Sequence, residues 1–279
     1  MCYYKMKKNR ITTIILIIVF LMGLFLVMYP TVSEWWNSWH QTRAIVSYEE
    51  QSMELYETIY ETMLEEAKSY NQTLVEDADR LHITDDERAK YKEYLCVPNT
   101  DVMGYIEIEK INCRLPIYHG TGEEFLQIGV GHMEGTSLPI GGESTHAVLS
   151  GHSGLPSTRL FTDLDQLEEG DIFRIYVLNK ILEYKVDQIQ VVEPDEVDEL
   201  AIVEGEDYCT LLTCTPYGIN THRLLVRGHR VETTVSSEIE QVEPKGDLAL
   251  IIFAITFVVL VIVVALWIWR KKRDKLYKK

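Results

Sequence analysis

Two apolar runs, residues 11–28 and 248–269, bracket everything else in this chain and limit what it can become. Each has the length of about 20 residues that crosses a ~30 Å hydrocarbon layer as a helix. The leader before the first run carries +4 (Lys5, Lys7, Lys8, Arg10), and the tail after the second carries +6. The whole chain is −16, so the stretch between the runs carries −26. Basic flanks beside a span stay cytoplasmic. The expected topology is therefore two membrane helices, both termini cytoplasmic and the acidic middle on the extracellular face. No small-residue cleavage pattern follows the first run, and Trp35-Trp36 suit an interfacial anchor, so a retained span is expected rather than a signal peptide. The basic tail after the second run is a stop-transfer pattern rather than a lipid-anchor signal. So acidic a middle excludes nucleic acid as a partner, because phosphate binding needs clustered Lys and Arg.

Between residues 33 and 74 there is neither Pro nor Gly, and Met53, Tyr56, Ile59, Tyr60, Met63, Leu64 and Ala67 recur at three- and four-residue spacings. That is the period of one or two amphipathic helices leading away from the membrane. Residues 76–95 are polar and irregular and read as a surface segment. From residue 102 the texture changes. Short β-branched and aromatic runs at 103–108, 111–118, 145–150, 171–178, 181–192, 208–214 and 222–232 alternate with Gly, Pro and Asn turns, with a tight hairpin at Leu178-Asn179-Lys180-Ile181. Seven such runs with few helices predict a mainly β fold closed, or nearly closed, into a barrel.

Two strand ends carry the chemistry. In Thr210-Leu-Leu-Thr-Cys214-Thr-Pro-Tyr-Gly-Ile-Asn-Thr-His-Arg223 a strand delivers Cys214 at its end, the turn follows, and Arg223 opens the next strand. In Leu149-Ser150-Gly151-His152-Ser-Gly154 another strand ends in a histidine between two glycines. A thiolate attacks a carbonyl, an imidazole carries the proton, and a permanently charged guanidinium steadies the oxyanion, so Cys214, His152 and Arg223 suffice for acyl transfer. Taken singly, each has a plainer reading: a small core residue, one histidine among eight, a surface charge. Cys209, five residues before Cys214, falls on the opposite side of a strand and reads as packing. If the outer cysteines pair at all, Cys96 with Cys113 is the pair to consider. No metal-ligand spacing or phosphate loop occurs, so no cofactor or metal is expected.

Thr210-Leu-Leu-Thr-Cys214 followed by Arg223 resembles the active-site signature of the sortase family, and the strand ending at His152 resembles the one carrying that family's histidine. The resemblance covers roughly residues 102–230. It implies a closed sortase-type β-barrel, a Cys-His-Arg site and cell-wall or pilus transpeptidation in Gram-positive bacteria. The segment His152-Ser-Gly-Leu-Pro-Ser-Thr-Arg-Leu-Phe161 and the apolar run after the barrel resemble the class C, pilin-polymerising members. These imply cleavage of an LPxTG-like sorting signal between Thr and Gly, and transfer to a pilin lysine. The alternatives are a housekeeping sortase that uses cell-wall peptide and a non-catalytic pilus scaffold. An L,D-transpeptidase is disfavoured because its Ser-His-Gly-Cys pattern is missing. Class C members usually carry a lid with an Asp-Pro-aromatic motif; no Asp-Pro pair lies between Ser33 and Val102. The lid is either absent or built from other residues, around 84–94. Leu155-Pro-Ser-Thr158 matches the substrate motif only by coincidence, with Arg159 where Gly would stand.

The expected organisation is a cytoplasmic leader 1–10, a membrane helix 11–29, and a helical stalk with a candidate lid at 30–101. A catalytic barrel at 102–233, a linker 234–246, a membrane helix 247–269 and a cytoplasmic tail 270–279 complete it.

Overall fold

The computed structural model describes residues 2–232, with side chains from 15 onward; the second apolar run and the basic tail lie outside the described residues. Eight strands close into a barrel: β1 (Val102–Ile108), β2 (Cys113–His119), β3 (Val130–His132), β4 (Thr145–Ser150), β5 (Ile172–Val177), β6 (Lys180–Val192), β7 (Asp207–Thr215) and β8 (His222–Val231). Their order around the barrel is β1-β2-β3-β4-β7-β8-β6-β5. Closure leaves no unpaired sheet edge. β7 crosses into the wall between β4 and β8, parallel to the first and antiparallel to the second. That placement brings three chain-distant strand ends side by side.

Alternation sets which side chains fill the barrel. Phe173, Ile175 and Val177 of β5 point in while their neighbours are partly exposed, and Ile106, Ile117, Leu149, Leu211 and Val226 join them in the main core. Gly228 is required there, since a Cβ would come within 2.7 Å of the Phe173 ring. A smaller apolar cluster joins Val148 of β4, Val192 of β6, Leu225 of β8 and Leu200 from the connection between β6 and β7, with Leu212 of β7 packed against it.

Outside the barrel, α1 (Cys2–Met53) is one helix that runs through Pro30. Its Tyr48 is buried, donating to Met103 O (2.9 Å) and accepting from the Leu178 N–H (2.6 Å). The second bond holds Leu178 at φ 53 in the hairpin between β5 and β6, a conformation costly for a residue with a Cβ. α2 (Glu57–Val75) presents Ala67, Asn71 and Leu74 to the barrel, and Asn71 bonds both the N–H and the carbonyl of Leu138.

Residues 76–95 are more than a surface segment. α3 (Asp85–Tyr91) begins with a capping box in which Thr84 and Glu87 satisfy each other's backbone N–H groups. Tyr91, Leu95 and Val97 are core residues. Arg80 donates to Gly135 O and Leu200 O, and Arg88 to Glu134. Among the described residues, none of this segment's polar contacts reaches Cys214, His152 or Arg223. Nor is there a Cys96–Cys113 disulfide: both thiols are free, with Cys96 exposed and Cys113 buried beside Leu160 O at 3.8 Å. Cys113 opens β2 facing inward, which turns it away from an exposed partner.

Two histidines tie this architecture to neutral pH. His132 Nε2 donates to Ser137 O (2.8 Å), while its Nδ1 accepts from the Tyr91 hydroxyl (2.8 Å), which in turn accepts the Gly120 N–H. His146 bridges Ala201 O and the Thr210 hydroxyl. Burial holds both imidazoles neutral and pushes them down to about 4. An unfolded histidine titrates near ~6.5, so below that pH the unfolded chain takes up protons that the folded one refuses. Stability is expected to fall as pH drops from about 6.5 to 4, by up to ~3 kcal/mol per histidine. Urea unfolding at stepped pH should give this slope, and His132→Gln should make it shallower.

Candidate active site

The β7–β8 ladder pairs Leu212 with Leu225 and, two residues on, Cys214 with Arg223. Directly opposed residues of an antiparallel pair project from the same face. Cys209 and Leu211 are core residues, so by alternation Thr210, Leu212 and Cys214 face outward. β4 runs parallel to β7 with Ser150 opposite Leu212. The pairing continues past the end of β4: the Gly151 N–H donates to Leu212 O (3.0 Å), and the Thr213 hydroxyl donates to Gly151 O (2.7 Å). This register brings His152 level with Cys214. The backbone register thus sets Cys214, His152 and Arg223 at neighbouring positions along one rim of the outer face, beside the apolar cluster floored by Leu212 and Leu225.

Local sequence explains how each is held. A Cβ on Gly151 would lie 2.7 Å from the Phe161 ring, so only glycine lets the chain pass. Beyond it, residues 152–162 fold back on themselves, with Phe161 N–H to His152 O (3.1 Å) and Gly154 N–H to the Thr162 hydroxyl (3.1 Å). Leu155-Pro-Ser-Thr158 lies within this folded loop; Thr158 is buried and Ser157 O accepts from Asn37. After β7 the chain turns through Pro216, Gly218 (φ 72) and Asn220 (φ 60), and Tyr217 closes over Gly154. Arg223 Nη1 donates to His222 O (3.1 Å) and reaches Asn220 O at 3.5 Å. Among the described residues it has no carboxylate partner.

One site residue has no precursor in the sequence reading. α4 (Glu123–Leu126) places Glu123 so that both carboxylate oxygens lie 3.3 Å from His152 Nε2. Gln127 donates to the same carboxylate at 2.6 Å, and the two contacts hold it below the usual carboxylate range, the Gln127 bond contributing most. No motif spacing signals a partner 29 residues away. The contact orients the His152 ring from its Nε2 side and leaves Nδ1 without a carboxylate partner among the described residues. Glu123→Gln is expected to lower kcat about three- to tenfold with KM little changed, as befits an exposed orienting pair. Steady-state kinetics on a sorting peptide would check it.

Two other cysteines, Cys113 and Cys209, lie in the core instead. Burial pushes the Cys113 thiol up to about 12 and raises Cys209 well above its ordinary value, so neither gives a ready thiolate. Cys214 is half-buried at the rim. His132 and His146 are buried, His119 meets Tyr94 O, and His222 pairs with Glu193.

Known proteins share this fold. A family model described as the sortase domain matches residues 106–231. Sortase C1 from Streptococcus agalactiae has a similar solved structure, at 52% identity and TM-score 0.67, covering 68% of this chain and 99% of that one. The sortase C of Streptococcus pneumoniae, studied for its catalysis and pilin substrate specificity, matches at 43% identity and TM-score 0.63 over 70% of this chain and 99% of its own. Clostridium perfringens sortase C, solved with the C-terminal cell wall sorting motif, matches at 48% identity and TM-score 0.60 over 68% and 98%. With a closed eight-stranded barrel, the matching domain and half-identical class C structures in agreement, this chain belongs to the sortase family of cysteine transpeptidases.

Proposed function

We propose that the chain polymerises pilins, with Cys214 as nucleophile, His152 as proton carrier and Arg223 as oxyanion stabiliser. The carrying observation is the shared register of β4, β7 and β8, which sets these three residues at one rim. The Cys214 thiolate attacks the Thr carbonyl of an LPxTG-like signal, forming a C–S bond and an oxyanion beside the Arg223 guanidinium. Collapse breaks the Thr–Gly C–N bond, and His152 gives its proton to the leaving amine. A pilin lysine amine then attacks the thioester, His152 takes the amine proton, and the thiolate departs. The pilin substrate is supported by the similarity to the sortase C structures reported with a sorting motif and with pilin specificity.

The same reading sets the enzyme in the cell membrane. The first apolar run lies in α1, none of its apolar window is buried, and its leader is basic. The second run and its basic tail give a matching span, with the catalytic barrel outside and both termini in the cytoplasm.

The test incubates the full-length enzyme in detergent with a pilin bearing an LPxTG-like tail and follows products by mass spectrometry. A pilin thioester mapped to the peptide containing Cys214, with lysine-linked pilin ladders, is expected. A thioester without ladders would reassign the acceptor to cell-wall peptide or water. No adduct from any sorting peptide, with an accessible thiol, would leave a non-catalytic assembly scaffold.

A further inference from the structure

α1 continues beyond the apolar run without a break, and its two sides then diverge. Asn37, Gln41, Ile45 and Tyr48 recur at helical spacing and face the barrel: Asn37 donates to Ser157 O (2.9 Å), Gln41 to the Thr158 hydroxyl (3.3 Å), and Ile45 and Tyr48 are buried. Glu49 adds an ion pair to Arg114 at 3.0 Å. At about 100° per residue, Trp35, Trp36, Trp39, Arg43 and Val46 fall on the opposite side. Trp36, the most open of the three described tryptophans, is 56% exposed. Trp36 and Trp39 cluster with His40, at 6.2, 4.7 and 4.8 Å between ring centroids, and Arg43 stacks on Trp39 at 5.4 Å. An exposed aromatic cluster of this size on a helix otherwise docked on a barrel needs a partner.

Its position along the helix identifies one. No charged residue occurs from 11 to 33, and most apolar side chains from Ile15 to Val32 are exposed, with Ile17, Leu24 and Met28 partly covered. Glu34 follows, then the tryptophans within two turns, which places them in the polar layer of about 5–8 Å that covers each side of the hydrocarbon. Tryptophan prefers that layer, where its ring is apolar and its N–H meets water. The barrel side of the same turns grips Ser157 and Thr158, five and six residues past His152 in the folded loop that carries it.

We propose that the outward face of α1 over residues 35–43 lies in the lipid headgroup layer, making the helix a strut that holds the His152 loop, and with it the site's mouth, at the bilayer surface. This rests on the membrane reading of the first apolar run, and it adds a fixed height and a fixed lipid-facing side. A flexible tether would let the barrel sample any height; two hydrogen bonds and two buried side chains within three turns do not.

The test places the full-length chain, with Trp267→Phe and Trp269→Phe, in phosphatidylcholine–phosphatidylglycerol liposomes. Nitroxide probes sit either on the lipid headgroup or at the acyl-chain end. Headgroup probes are expected to remove about half the tryptophan emission and acyl-end probes much less, with acrylamide quenching reduced relative to detergent-free aqueous protein. Trp36→Ser/Trp39→Ser should lose transfer from a membrane-held pilin while keeping turnover of a short soluble sorting peptide. Stronger quenching by acyl-end probes, or acrylamide quenching unchanged by lipid, would overturn the proposal. If the chain does not float with liposomes at all, the membrane reading itself falls; flotation with unquenched tryptophans sinks the strut alone.

Discussion

Cys214→Ala is expected to abolish thioacyl formation and pilin transfer, a loss of more than about 10⁴-fold, with no change in melting temperature. The two halves of this expectation have separate causes. Cys214 sits half-buried at the rim on the outer face, so its sulfur fills no part of the barrel interior and its removal opens no core cavity. Without it no thioester forms, and the remaining imidazole and guanidinium have no covalent intermediate to act on. Cys209→Ala is the matched control. That side chain is fully buried in the core, so it should cost about 1–2 kcal/mol of stability while transfer continues. Thermal melts and peptide turnover on both variants separate chemistry from packing. Activity surviving in Cys214→Ala would move the nucleophile elsewhere.

The contrast between those two cysteines was legible without coordinates, because a strand's period of two assigns them to opposite faces over five residues. The strand runs were legible for the same reason, and the pattern predicted a closed barrel. β3 was not: it is three residues long, Val130-Gly131-His132, with Gly129 and Gly131 diluting any alternation. Nor does periodicity reveal that β7 lies between β4 and β8, which decides that the chain leaving β4 towards His152 runs beside the end of β7; strand order is a property of long-range pairing rather than of local pattern. Residues 76–95 looked irregular because the helix within them is seven residues long, and their attachment depends on Tyr91 finding His132, 41 residues away. Glu123 was invisible because an exposed glutamate in a four-residue helix looks like any other. Sequence patterns carry periodicity and strand-end motifs well; contacts that depend on how the barrel closes need the fold.

Arg223 is where chemistry remains to be apportioned. Arg223→Ala is expected to lower kcat by about 10²- to 10³-fold, the usual cost of removing one oxyanion donor, with KM nearly unchanged. Arg223 is paired across the ladder with Cys214, and among the described residues its guanidinium hydrogen-bonds the carbonyls of His222 and Asn220 and has no acidic partner. A buried structural arginine would hold a carboxylate; one that rests on its own turn keeps most of its five N–H donors for an incoming oxyanion. Arg223→Lys should recover part of the loss, since it returns the charge without the planar fork. The split between the two constants decides the role. If KM rises while kcat holds, the arginine grips the peptide in ground and transition states alike. If kcat falls alone, its donors engage the oxygen only once it carries charge. The second outcome is expected, because Arg223, the second residue of β8, lies directly across the ladder from Cys214, the proposed nucleophile.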